Sequence, residues 1–133
     1  MLRAVADTHA IIWYIFADAR LSAIARETIE SAAAAGDQIA FSSITLAEIV
    51  YLSEKGRLAP ETLDRLLQAV DEEPTVLIEV PFDRSIAQSL TRVHRSQVPD
   101  MPDRIIAATA LHLGVPLISR DRKIRLAGLE TIW

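Results

Sequence analysis

The chain has no cysteine, which excludes disulfides and thiolate metal sites and suits a reducing cytoplasm. It holds four glycines in 133 residues, and none of them lies in a run that could cradle a phosphate. Aromatic residues make up 5% of the chain, too few to build an array of base-stacking platforms. No apolar stretch approaches the ~18 residues a membrane-spanning helix needs, so no membrane association is expected. A positive surplus is also missing. The net charge is -4, which argues against a globally basic nucleic-acid binder. The N-terminal "MLRAVADTHAIIWYIFADA" has an early arginine and an apolar run, but Asp7 and His9 interrupt it and Val5 is wanted for a core strand. It is not read as a secretory signal.

What remains is half hydrophobic and 24% charged, the composition of a single globular domain over 1–133 that buries its core without staples. Strand-like and helix-like stretches alternate. Strands are expected at 3–6, 38–41, 75–80 and 116–119, with a short last one in "LETIW". Helices are expected at 9–16, 22–35, 43–55, 60–72, 83–95 and 102–113. Ser22 caps the second of these and Gly36 closes it. Such alternation implies an α/β fold, a largely parallel central sheet covered by helices on both faces.

Ligands of such sheets bind at the carboxyl ends of the strands. Asp7 follows the first strand directly, and Asp121 follows "PLIS" by one residue. The 102–113 helix enters that strand through the short "GVP" turn, so its N-terminus, with Asp103, returns to the same edge. Glu48 is the only charged residue between Ser42 and Ser53, on a helix whose apolar composition implies burial all round. Each aspartate also has a plainer explanation. Asp7 and Asp103 suit the first turn of a helix, Asp100 and Asp103 have capping-box spacing, and Asp121 suits a turn. Pro102 is expected to hold Met101 outside the helix and to spoil the capping box. Glu48 has no such explanation.

Carboxylates that converge repel one another unless a cation shares the site. An all-oxygen donor set without cysteine or a suitably spaced histidine pair favours Mg²⁺ or Mn²⁺, which clamps phosphate oxygens and activates water. Charge is distributed to match. Residues 84–128 carry eight Arg or Lys and only three acids, Asp100, Asp103 and Asp121, against six basic and fifteen acidic residues elsewhere. Arg92, Arg95, Arg104, Arg120, Arg122, Lys123 and Arg125 are therefore candidates to hold a polyanion backbone. Metal-dependent phosphodiester hydrolysis is the leading expectation. His9, His94 and His112 lack ligand spacing and are expected to pack or face solvent. Trp13, Tyr14 and Phe16 are expected in the core or on a dimer face.

The segments "VADTHAIIW", "SSITLAEI", "PDMPDRIIAATAL" and "LISRD" resemble, in order and over nearly the whole chain, the motifs of PIN domains, specifically the VapC-type toxins of toxin–antitoxin pairs. The resemblance implies a PIN-like fold and a Mg²⁺- or Mn²⁺-dependent endoribonuclease acting on RNA. Asp7, Glu48 and Asp103 match the family's principal acids and Asp121 its more variable fourth. Thr8 and Ser119 match supporting hydroxyls, and Asp100 a supporting acid. It further implies a homodimer and a cognate antitoxin. Two other readings use the same features. A phospho-receiver domain would need an acidic pair after the first strand, where one acid stands, and an aspartate after the third, where Asp83 comes only beyond a proline. A non-catalytic PIN-like module acting with a DNA-binding partner would not need the full set of acids.

Overall fold

Two apolar surfaces have to be hidden in this chain, and they alternate residue by residue along its strands. In a computed structural model, which describes residues 1–133, the strands are β1 (Leu2–Ala6), β2 (Gln38–Ser42), β3 (Leu77–Val80), β4 (Leu117–Ile118) and β5 (Thr131–Ile132). They form one sheet in the order β3-β2-β1-β4-β5, with every neighbouring pair parallel. The largely parallel sheet expected from the alternation is thus wholly parallel.

Ala4, Ala6, Ile39, Phe41 and Ile118 point to one face. There they meet the helices α1 (Thr8–Ile15), α2 (Ala23–Ala35), α3 (Ile44–Glu54) and α4 (Thr62–Asp71), through side chains such as Ile11, Ile29, Ile49 and Leu66. The intervening Val5, Ala40 and Leu117 point to the other face. They pack on α5 (Arg84–Leu90), α6 (Met101–Leu113) and α7 (Arg122–Leu126) through Ile86, Ile106 and Ile124. This period-two division of a fully covered sheet produces the continuous apolar runs of the strands. Because the side chains alternate, a one-residue slip of β1 would exchange the two cores.

Four local readings need correction. Helix α5 stops at Leu90 instead of running to Arg95, because the carbonyls of Leu90 and Val93 accept from the Arg104 guanidinium, at 3.2 Å from Nη2 and 3.0 Å from Nε. Met101 lies inside α6 rather than before it. Proline is tolerated in a first turn, where its missing N–H has no intrahelical acceptor, and Asp100 caps the helix by accepting from the Asp103 N–H at 3.1 Å. Residues 122–126, to which no element was assigned from sequence, form the short helix α7; Asp121 caps it and buried Ile124 anchors it. Helix α3 is not buried all round, since Val50 and Tyr51 are 41% and 54% exposed.

The α6-to-β4 turn does what its sequence implies. Gly114 takes φ +68°, a left-handed conformation that costs glycine little, and donates to the Ala110 and Leu111 carbonyls at the helix end. The chain reverses within three residues. The N-terminus of α6 is thereby carried back to the carboxyl edge of the sheet.

Arg104 belongs to this framework. Its guanidinium ties the first turn of α6 to the end of α5, so it is withdrawn from the candidate polyanion contacts. Replacing it with methionine should cost about 1.5–3 kcal/mol, the range for hydrogen bonds made by a charged donor. Urea unfolding checks this. The midpoint should fall at unchanged slope, and an unchanged midpoint would remove the structural role.

Candidate functional site

The sheet order turns back on itself at β1. From β1 the chain builds outward to β2 and β3, then crosses to the opposite side to lay down β4 and β5. The carboxyl ends of β1 and β4 therefore diverge into helices on opposite faces, and a crevice opens where they part. A pocket of about 380 Å³ occupies that place, lined by Asp7, His9, Trp13, Glu48, Asp100, Asp103, Arg120 and Asp121. All four acids expected to form the site are among them, and so is Asp100.

Each acid is delivered by a different piece of local structure. Asp7 ends β1 and caps α1, its Oδ1 accepting from the Ala10 N–H at 2.9 Å. Asp121 follows β4 and caps α7, accepting from the Lys123 N–H at 2.8 Å. Asp103 sits in the first turn of α6, beside its cap Asp100. Glu48 comes from α3, which leaves the carboxyl end of β2.

Hydroxyl groups set two of these carboxylates. Thr8 donates its one hydroxyl proton to Glu48 Oε1. The buried contact of 3.0 Å between the Thr8 and Thr45 hydroxyls must then run from Thr45 to Thr8, because Thr8 has no second proton to give. Thr45 and Glu48 lie on α3, so this relay pins α3 to the start of α1 and orients Glu48. Ser119 is buried after β4, and its Oγ accepts from the Asp121 N–H at 3.0 Å. Its own proton remains available to Asp7. Thr8 and Ser119, the two hydroxyls singled out from sequence, thus each stand beside an acid of the pocket.

Electrostatics mark the cluster. Burial raises the Asp7 carboxyl above its ordinary range, while the Ser119 hydroxyl, the Ala10 N–H and His9 draw it back. Glu48 is likewise raised by burial and drawn back chiefly by the Thr8 hydroxyl. Asp103 is pushed up to about 7, by burial first and then by Asp100, Glu48, Asp121 and Asp7. No hydroxyl or cation offsets the repulsion there. Such shifts arise where a carboxylate is desolvated among its own kind.

This donor set is compatible with a hard divalent cation. Every acidic donor is oxygen, and added positive charge would relieve the repulsion that raises Asp103. The acids face a common space rather than closing on one point, and no three of them form a ready-made ligand group. An open arrangement of that kind suits an ion that keeps much of its water and takes few protein ligands, as Mg²⁺ does.

The cations divide into three kinds. Arg120 alone lines the pocket. Arg122 and Lys123 stand exposed in the first turn of α7, and Arg95 is exposed between α5 and α6. Arg92 and Arg125 are drawn to the hydroxyls of Ser89 (3.3 Å) and Thr131 (3.2 Å). His9 and Trp13 were missed as pocket residues. Their signal lay in the sequence, since they stand two and six residues after Asp7, on the helix that Asp7 caps.

Comparison with known proteins agrees with the fold. The sequence profile of the PIN domain matches residues 4–129. The chain is 32% identical over 127 residues to Ribonuclease VapC22 of Mycobacterium tuberculosis, covering 94% of this chain and 92% of that protein. Among solved structures it is similar to VapBC2 from Rickettsia felis bound to a promoter DNA fragment, with a TM-score of 0.71, 19% identity and coverage of 98% and 97%. It is also similar to a toxin–antitoxin complex from Klebsiella pneumoniae, with a TM-score of 0.59, 25% identity and coverage of 90% and 88%.

The raised Asp103 carboxyl has a consequence for stability. In metal-free buffer the folded chain holds a proton there up to about pH 7, whereas the unfolded chain releases it near pH 4. The folded state thus binds more protons across that window, and its contribution to stability is full below pH 4 and lost as pH rises through 7. Asp103→Asn should abolish this part of the slope and match or exceed the parent's melting temperature above pH 7. Thermal melts in EDTA between pH 4 and 8 test it. A parallel pH dependence in both proteins would refute the assignment.

Proposed function

The chain belongs to the PIN-domain family, and from that premise we propose that it is a Mg²⁺- or Mn²⁺-dependent endoribonuclease, the toxin of a type II toxin–antitoxin pair. The observation that carries the reading is the meeting of Asp7, Glu48, Asp103 and Asp121 in one pocket at the carboxyl edge of the sheet. Its similarity to a ribonuclease over nearly its whole length supports RNA as the substrate.

In this reading Asp7, Glu48, Asp103 and Asp121 would hold the ion, with Asp121 the ligand most readily replaced by water. When bound, the ion supplies positive charge to phosphate oxygens and a water acidic enough to attack phosphorus near neutral pH. The chain's own part is positional. The Thr45–Thr8 relay fixes the direction of the Glu48 carboxylate, and Ser119 steadies Asp7 against the charge of its neighbours. Asp103, pushed up to about 7 by burial and its acidic neighbours, would be held ionised by positive charge in the pocket. Arg122 and Lys123, exposed beside the pocket, hold the RNA backbone in register.

The reading also carries a cognate antitoxin as partner, supported by the similarity to the Klebsiella pneumoniae toxin–antitoxin complex, and a homodimer as assembly. A non-catalytic module would leave five carboxylates lining a pocket without a task.

Two measurements test the proposal. Purified protein should cleave RNA with Mg²⁺ or Mn²⁺ and not with EDTA. Asp7→Asn, Glu48→Gln and Asp103→Asn should each lose at least ~10²-fold in rate while keeping the fold, the scale of removing a group that stabilises developing charge. Asp121→Asn should lose less, because water can replace one carboxylate in an octahedral shell. Cleavage that persists in Asp103→Asn, or in EDTA, would overturn it. Separately, neutralising Arg122 and Lys123 should weaken RNA binding and flatten its salt dependence by roughly one unit of slope per lost contact. An unchanged slope would place the RNA elsewhere.

A further inference from the structure

Five carboxylates and one guanidinium line the pocket, and the guanidinium pairs with none of them. The ion pairs of the chain join Met1 and Arg3 to Asp37, and Arg20 to Asp18. Arg120 makes no ion pair and no hydrogen bond to protein; its guanidinium carbon instead lies over the ring of Trp13, 4.7 Å from the centroid. An arginine among acids ordinarily forms a two-pronged pair with one of them, which would cancel both charges. Stacking has a different outcome. It engages the face of the guanidinium and leaves the N–H groups around its edge free.

The platform is buried. Trp13 is 3% exposed, sits in the core of the α1 face, and packs against Trp133 at 5.8 Å and His9 at 5.6 Å between ring centroids. A second arginine, Arg20, lies over the same indole at 5.1 Å. Arg20 is already neutralised by Asp18, through contacts of 2.7 and 3.1 Å, and does not line the pocket. The two arginines share one aromatic support. Only Arg120 keeps an unpaired charge, and only Arg120 faces the acids.

We infer that Arg120, held on Trp13, is the catalytic arginine that grips a non-bridging oxygen of the RNA phosphodiester being cut. This rests on the function proposed above and separates Arg120 from Arg122 and Lys123, which lie outside the pocket. The design answers an electrostatic problem. A phosphodiester entering a wall of acids needs positive charge that the wall has not already cancelled, and a cation parked on an indole supplies it without salt-bridging away the carboxylates. As negative charge grows on the phosphoryl oxygens, a planar donor fixed beside them becomes more effective than in the ground state. Arg120 should therefore act on the chemical step more than on binding.

The test compares the parent with Arg120→Gln, Arg120→Lys and Arg20→Gln. Single-turnover cleavage of a short RNA with Mg²⁺ is read beside the Kd of the same RNA in EDTA. Arg120→Gln should lower the cleavage rate about 10²-fold and weaken Kd no more than about threefold, one cation among several. Arg120→Lys should recover only part, since lysine keeps the charge and loses the planar fork. Arg20→Gln should cleave at the parental rate. Parental cleavage by Arg120→Gln, or a rate loss no larger than its loss of affinity, would overturn the inference. If the parent itself cleaves no RNA, the proposed function fails, and the arginine is judged by tryptophan emission as the RNA is titrated in Ca²⁺. A change that disappears in Arg120→Gln and persists in Arg20→Gln keeps Arg120 as the phosphate contact. An equal change in both removes it.

Discussion

Parallel pairing of β1 with β2 on one side and with β4 on the other is the constraint from which the pocket follows. All five strands point the same way, so their carboxyl ends share one edge and every connection must cross back over a face. At β1 those crossings separate, with α1 leaving toward one core and α6 returning from the other. The side chains at that parting cannot be covered by either layer of helices. Polar residues placed there remain reachable by solvent and ligand while their backbone stays anchored in the sheet. Asp7 and Asp121 occupy those positions, and α3 and α6 bring Glu48 and Asp103 to meet them.

Helix capping and site formation are the same event in this molecule. Asp7, Asp100 and Asp121 each give one oxygen to an N–H of the helix that follows, at 2.9, 3.1 and 2.8 Å. That bond holds the carboxylate at a positive helix end, which steadies its charge. Capping alone does not mark a functional acid. Asp83 caps α5 in the same way, accepting from the Ile86 N–H at 3.0 Å, and lies outside the pocket. What separates it from the others is which end of which helix reaches the switch between β1 and β4. Asp103, inside its helix and with no hydroxyl donating to it, meets repulsion from Asp100, Glu48, Asp121 and Asp7 on top of its burial, and its carboxyl is pushed up to about 7.

The helices beyond the site explain where local reading failed. Arg104 looked like one more member of a basic cluster, yet its guanidinium reaches eleven and fourteen residues back to carbonyls at the end of α5. Nothing local distinguishes an arginine that closes a helix end from one that meets a phosphate. Helix α3 was misjudged for a related reason. Its apolar residues are distributed around the whole helix, so composition pointed to burial on all sides, whereas the sheet and α4 cover only part of it and Val50 and Tyr51 stay exposed. Arg120 and Trp13 show the converse. They are 107 positions apart and meet only because β1 and β4 are neighbours.

From the sequence alone came the alternation of strands and helices, the core strand position of Val5, the caps at Ser22 and Gly36, and four candidate acids, Asp7, Asp103 and Asp121 at strand and helix ends and Glu48 alone on an apolar helix. These are legible because they depend on period, on terminal residues and on the direction a short turn imposes, all of which are local. The tertiary structure decided which cations are free, which hydroxyl donates to which carboxylate, and how far Asp103 is pushed toward neutrality. Those depend on burial and on distances between residues far apart in the chain, and Coulomb and desolvation energies respond to the space around a charge rather than to its neighbours in sequence.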